Sequence, residues 1–235
     1  MSSELNLYSR LVEQLYASRV MNAVIPTVKS CAAKELRDCR SILDLGCGSE
    51  SFIPLISGAA EVIGVEADPQ SAAAARSSGY YAEVINGDLR DLKFAPNTFD
   101  AVVLIEVLEH MPFSDGQELL KKAKSWSKKK LLVTTPNGFW PQGALHGNEY
   151  QRHVSGWKMD DLHDHGMRVK GLAGFKIFRK ELEDVIDPEA TALSFSMRWK
   201  PWQFWFVLSA LSQIASYRLP KLAFELFAIW ECPQE

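Results

Sequence analysis

The residues best able to do chemistry fall into two groups, and the first is a set of acids at regular distances. Asp44 opens the turn Asp44-Leu45-Gly46-Cys47-Gly48-Ser49-Glu50, Glu66 follows Gly46 by 20 residues, and Asp88 closes Asn86-Gly87-Asp88. Two glycines one residue apart let a backbone turn sharply and approach a ligand closely. A dinucleotide would ask for G-x-G-x-x-G with its pyrophosphate over a helix N-terminus. Here Ser51 stands at the third glycine position, and Asp44 would repel a phosphate. A carboxylate in that place suits an ammonium group. An acid at the offset of Glu66 reaches ribose hydroxyls, and Asp88 is placed to accept from an adenine amino group. S-adenosylmethionine, with its ammonium and sulfonium and no phosphate, matches this charge pattern.

The second group is Glu106, Glu109 and His110 in Ile105-Glu106-Val107-Leu108-Glu109-His110-Met111, joined by His153 in Tyr150-Gln151-Arg152-His153-Val154-Ser155-Gly156-Trp157. On a helical turn Glu106, Glu109 and His110 stand at i, i+3 and i+4 and share one face. Two carboxylates and an imidazole can hold a divalent ion. His110 or His153 can equally serve as a proton acceptor near neutral pH, or make hydrogen bonds within the protein. No Ser-His-Asp or Cys-His pattern suggests a covalent nucleophile.

The elements that must carry these residues read as alternating strands and helices. Ile42 to Leu45, Val62 to Glu66, Tyr81 to Ile85, Ala101 to Ile105 and Leu131 to Thr135 are short apolar runs ending in glycine, proline or acidic turns. Between them the sequence predicts helices over Ser51 to Ser57, from Asp68-Pro69 to Arg76, and over Ser114 to Ser127, with Asp68 and Pro69 as cap and first helical residue. Strands buried on both faces imply a parallel, doubly wound sheet, whose ligands gather beyond the strands' carboxyl ends. A helix over Met159 to His165, a strand over Val169 to Phe178 and a last strand over Phe224 to Cys232 complete it. Helix is also expected over residues 5 to 38, broken near Pro26.

Ile42-Leu43-Asp44-Leu45-Gly46-Cys47-Gly48, Gly64-Val65-Glu66 and Asn86-Gly87-Asp88 resemble the first three motifs of class I S-adenosylmethionine-dependent methyltransferases, and the resemblance runs from about Ser41 to His165. It implies a Rossmann-like, seven-stranded, mostly parallel sheet with an antiparallel last strand. It also implies a cofactor site of Asp44, Gly46, Cys47, Gly48, Glu66, Ala67, Asp88, Leu89 and Glu106, with S-adenosylhomocysteine as product. The family often has a third glycine where this chain has Glu50. The E-x-x-E-H segment is similar to that of ubiquinone-biosynthesis O-methyltransferases. It is similar too to that of small-RNA 2′-O-methyltransferases, which add a His four residues before a Trp, as His153 and Trp157 are here. That likeness implies Glu106, Glu109, His110 and His153 as candidate Mg²⁺ ligands.

Composition narrows the partners. At 235 residues the chain fits one α/β domain with added structure: N-terminal helices over 1–40, a cofactor-binding core over 41–178, a helical insertion over 179–221 and a last strand over 222–235. With 26 Lys and Arg against 29 Asp and Glu, the net charge of −3 counts against a nucleic-acid partner. The four cysteines form no CxxC pair, and the N-terminus has no signal-peptide pattern, which together suggest reduced thiols and a cytoplasmic setting. The insertion crowds Phe195, Trp199, Trp202, Phe204, Trp205 and Phe206 together. Its uncharged run of 17 residues, Pro201 to Tyr217, is too short and too polar to span a membrane. Residues 195–217 are therefore read as a packed helical layer, a homodimer contact or a peripheral membrane contact. The leading expectation is O-methylation of a small-molecule hydroxyl such as a quinone, sugar or other metabolite; the alternatives are RNA 2′-O-methylation and a non-catalytic S-adenosylmethionine-binding module.

Overall fold

A computed structural model describes residues 25–56, 58–59, 61–144, 147–179 and 197–233. Its strands are β1 (Ser41–Leu45), β2 (Glu61–Glu66), β3 (Glu83–Asn86), β4 (Phe99–Ile105), β5 (Ser127–Pro136), β6 (Arg168–Phe175) and β7 (Ala223–Glu231). The helices between and around them are α1 (Val28–Glu35), α2 (Ile53–Ile56), α3 (Pro69–Ser77), α4 (Phe113–Trp126), α5 (Met159–Asp164) and α6 (Trp202–Ser216). One seven-stranded sheet runs in the order β3-β2-β1-β4-β5-β7-β6. Its first five strands in sequence pair parallel, and β7 is antiparallel to both β5 and β6. The order reverses between β1 and β4, the place where an open sheet leaves a crevice for ligands.

Both sheet faces are covered, which is why the strands are nearly continuous apolar runs. Leu43, Leu45, Val102, Leu104, Leu131 and Val133 point into a cluster with Leu119, Leu120 and Trp126 of α4. Their neighbours Ile42, Ala101, Val103 and Leu132 point the other way, against Ala32 and Leu36 and against Ile53. The alternation follows from the two-residue repeat of an extended chain.

Local sequence explains most element ends. Thr27 and Ser30 form a capping box for α1, and Asp68 caps α3 with Pro69 behind it. Several boundaries differ from expectation, among them β5, which begins at Ser127 rather than Leu131. The third strand begins at Glu83, because Tyr81 turns inward and donates its hydroxyl to Asp44. The sixth strand stops at Phe175, because Ala173 and Gly174 take positive φ in a bulge against β7, and Lys176–Phe178 forms a 3-10 turn. The predicted helix over 5 to 38 is described only from residue 25, and there it is Val28–Glu35; residues 1–24 lie outside the described residues. Among the described residues no helix is long and apolar enough to cross a membrane.

Candidate functional site

The glycine turn after β1 is built for close approach. Gly46 and Gly48 have φ of +69° and +57°, a region open to glycine at little cost. Packing adds a second constraint at Gly46, where a Cβ would lie 2.6 Å from Val107 Cγ2. The amides of Gly46 and Cys47 both donate to Val65 O, at 2.8 and 3.0 Å. Glu66 then ties three loops together. Its Oε2 accepts from Gly48 N at 2.9 Å and its Oε1 from Asp68 N at 2.8 Å. Asn86 Nδ2 donates to the carbonyls of Glu66 and Ala67 at 2.8 and 3.0 Å, which fixes the exit of β3 against that of β2.

These loops contribute Gly46, Glu66, Ala67, Asp88, Leu89 and Arg90 to an open cleft of about 720 Å³, counting space open to solvent. Glu106, Val107, His110 and Met111 face them, and Tyr150 and Gln151 close a third side. Asp44, Cys47 and Gly48 do not line the cleft directly. Asp44 is buried, and its Oδ2 accepts hydroxyl hydrogens from Ser51 and Tyr81, each at 2.7 Å. Burial pushes its carboxyl up to about 6, the two hydroxyls pull it down, and Glu66 adds to the rise. Asp44, expected to suit an ammonium group, is held in an internal tie to Ser51 and Tyr81. The Cys47 thiol packs on Ala72, Ala75 and Val84 and is raised to about 12 by burial, with Asp44 and Glu66 adding to the shift. Gly48 spends its amide on Glu66. Glu50 is exposed and outside the lining residues, so it does not crowd the cleft.

Asp88 lines the cleft but is not an unengaged acceptor. Its Oδ1 accepts from Arg90 N at 2.9 Å, capping the short turn Leu89–Asp91. Its Oδ2 lies 2.6 Å from Arg90 Nη2. Those hydrogen bonds hold its carboxyl below the ordinary range. Any adenine contact must use the acceptor capacity that Arg90 leaves.

The far wall begins with Glu106, a non-glycine residue at φ +53°, held there by Thr134. Glu106 N lies 3.1 Å from both Thr134 O and Thr134 Oγ1, and Thr134 Oγ1 donates to Glu106 Oε1 at 2.8 Å. Strain of this kind persists only where surrounding contacts over-determine it. It also places Glu106 outside the 3-10 turn Leu108–His110, which corrects the expected single helical face of Glu106, Glu109 and His110. Glu109 is buried, and its Oε2 accepts from Thr135 Oγ1 at 3.0 Å. Its Oε1 is buried without a hydrogen-bond partner. Burial and the neighbouring Glu106 raise its pKa well above the ordinary carboxylate range.

His153 arrives from a distant loop because that loop is pinned at Glu109 and Leu108. Glu109 O accepts from Val154 N and Ser155 N at 2.8 and 3.1 Å. Leu108 O accepts from Ser155 Oγ and Trp157 Nε1 at 3.0 and 3.3 Å. Trp157 is wholly buried and stacks 4.4 Å from the ring of Phe113. It fits because position 116 is glycine, where a Cβ would come within 2.5 Å of the indole. The rings of His110 and His153 lie 4.8 Å apart. Each Nδ1 faces a carbonyl, Arg152 O at 3.2 Å and Trp140 O at 2.6 Å. With Nδ1 protonated, each Nε2 keeps its lone pair. Burial, reinforced by His153, lowers His110 to about 4, and burial lowers His153. Donor atoms of Glu109, His110 and His153 all lie within 4.8 Å of one another; Glu106 is not in that set.

Sequence reasoning gave no role to Thr134 or Thr135 and missed Glu225. Glu225 pairs opposite Pro136 on β7. Burial and Glu106 raise its carboxyl well above the ordinary range, against the pull of Arg179. Arg179 is itself buried, 5.0 Å over the Phe224 ring. An acid inside the apolar run Phe224 to Trp230 was the available signal.

Residues 43–130 match the methyltransferase domain family. No curated protein sequence matches the chain. Among solved structures, a SAM-dependent methyltransferase from Archaeoglobus fulgidus aligns over 96% of this chain and 99% of its own, at 18% identity and a TM-score of 0.54. The [4+2]-cyclase SpnF aligns over 88% and 81%, at 16% identity and a TM-score of 0.51. The PH0226 protein of Pyrococcus horikoshii OT3 is 27% identical over 52% of this chain, with a TM-score of 0.43, and the match spans only 57% of that protein. SpnF shows that the fold alone leaves the reaction open. Residues 43–130, which hold the loops of Gly46, Glu66 and Asp88, thus match a methyltransferase domain, and the chain shares its fold with a SAM-dependent methyltransferase.

Proposed function

We propose that the chain methylates a hydroxyl oxygen of a small-molecule acceptor held between the cofactor loops and the two histidines. The observation that carries this reading is the shared cleft: His110 lines it together with Gly46, Glu66 and Asp88, and stands ring to ring with His153. The cofactor would supply an electrophilic methyl group on a sulfonium sulfur. Gly46 offers bare backbone to it, and Glu66 keeps acceptor capacity for the ribose hydroxyls. A neutral imidazole on the opposite wall can then accept the proton that the acceptor oxygen loses. At about 4, His110 is unprotonated at neutral pH but is a weak proton sink. It therefore takes a proton only as the oxygen becomes acidic during transfer. The remaining contribution is positioning and exclusion of water.

One observation favours a metal-assisted form of the same reaction: Glu109 Oε1 is buried without a partner beside two neutral imidazoles. Two nitrogens and one oxygen suit a transition ion better than Mg²⁺, which prefers oxygen ligands. Such an ion would displace the proton from Glu109 and lower the pKa of a bound hydroxyl. Calorimetry with S-adenosylmethionine and S-adenosylhomocysteine, followed by labelled-methyl transfer to phenols, catechols and sugars, tests the reading. No binding of either cofactor form would sink it. Binding without turnover on any hydroxyl would favour a non-catalytic module. Activity lost in EDTA and restored by a transition ion would select the metal-assisted form.

A further inference from the structure

Among the described side chains of helix α6, Phe204, Val207, Leu211 and Ile214 are exposed while Ser209, Gln213 and Ser216 are buried. Phe204, Val207, Leu211 and Ile214 recur at intervals of three, four and three residues and form one stripe, with Phe204 55% and Leu211 61% exposed. On the opposite face Ser209, Gln213 and Ser216 are buried beside Phe206. That face is small enough to sit against β6 at Gly171 and Gly174, where a Cβ would collide with the backbone carbonyls of Ser216 and Ser209. Its polar groups are largely satisfied internally. Ser212 Oγ donates to Ser209 O and accepts from Phe175 N, Ser216 Oγ donates to Gln213 O, and Gln213 Nε2 donates to Pro26 O. A surface helix of a globular protein normally shows the reverse polarity.

Charge identifies what the stripe meets. From residue 190 to residue 224 the chain has no Asp or Glu, while Arg198 and Lys200 precede the helix and Arg218 and Lys221 follow it. This segment carries four positive charges in a chain of net −3. Of the four cations, Lys221 has an exposed ion pair, at 3.5 Å from Asp160. Exposed Trp199, stacked 4.7 Å from Trp205, marks the N-terminal end, and exposed Leu219 and Leu222 mark the other. Pairing this face with a second copy would set cationic ends against cationic ends, with no acid in the segment to offset them. A stripe of large apolar side chains between basic ends, with tryptophan at the boundary, is the pattern of a helix lying in a membrane interface.

We propose that α6 docks the protein onto an anionic lipid surface, with the Phe204–Ile214 stripe in the acyl boundary and the four flanking cations at the headgroups. Co-sedimentation with vesicles of phosphatidylcholine, and of an equimolar phosphatidylcholine–phosphatidylglycerol mixture, tests it on the full chain. The parent should pellet with the anionic vesicles, less so as salt rises. The double variant F204S/L211S should partition at least about tenfold more weakly, and R198Q/K200Q should lose the preference for anionic vesicles. Both pairs alter exposed positions, so unchanged thermal unfolding shows that the fold persists. Failure of the parent to pellet, or equal pelleting of parent and F204S/L211S, overturns the proposal. So does a stable dimer in sedimentation velocity that F204S/L211S converts to monomer.

Discussion

Replacing Asp44 by Asn should make this protein more stable at neutral pH and less stable in acid. In the fold, burial raises the Asp44 carboxyl from 3.8 to about 6. The folded state therefore holds this proton more tightly than the unfolded chain. Stability from this group is fully present below about pH 4 and is lost as pH rises through 6. At pH 7 the buried charge costs about 3 kcal/mol, from two pH units at about 1.4 kcal/mol each. Asn removes that cost and keeps an oxygen to accept from Ser51 and Tyr81, whose hydroxyls lie 2.7 Å from Oδ2. Its new NH₂ must be desolvated at a cost of roughly 1–2 kcal/mol. The net expectation is D44N more stable by about 1–2 kcal/mol at pH 7 and less stable by a similar amount near pH 4. Urea unfolding at several pH values between 4 and 7 measures the difference directly. A D44N variant destabilised by the same amount across that range would refute the reasoning, since it would show that the carboxylate charge costs the fold nothing.

Other outcomes follow from single contacts. Gly46→Ala combines a left-handed backbone with the 2.6 Å approach to Val107. It should cost at least about 2 kcal/mol and abolish cofactor binding measured by calorimetry. Gly116→Val would push on the Trp157 indole and should lower stability by roughly 1–3 kcal/mol; because the displaced Trp157 anchors the His153 loop, turnover should fall more than cofactor affinity. Thr135→Val leaves the buried Glu109 Oε2 without its hydroxyl donor, an expected loss of about 1–3 kcal/mol in chemical denaturation.

The sheet was legible because strands buried on both faces leave unbroken apolar runs, and Gly46, Glu66 and Asp88 mark their exits. Caps such as Asp68-Pro69 fixed helix starts from local chemistry alone. What escaped depends on distant partners. The inward turn of Asp44 requires Tyr81, 37 residues away, to bring a hydroxyl to it. Glu106 leaves the helical face because Thr134, on the neighbouring strand, over-determines a positive φ. Glu225 comes under the influence of Glu106 through an antiparallel pairing that periodicity does not reveal. Which face of α6 turns inward depends on Gly171 and Gly174 on β6, distant in sequence, which leave room for its backbone.

The reversal of strand order between β1 and β4 also has an evolutionary consequence. Before it in the sheet, the exits of β1, β2 and β3 supply Gly46, Glu66, Ala67 and Asp88 to the cleft; after it, the exit of β4 and the loop after β5 supply Glu106, His110, Tyr150 and Gln151. Substitutions in the loop after β5, which brings Tyr150 and Gln151 to the cleft, can therefore reshape the far wall while the backbone at Gly46 and the clamp at Glu66 stay as they are. The two halves can drift at different rates, and Val107, packed against Gly46 from the exit of β4, is the point where they constrain each other.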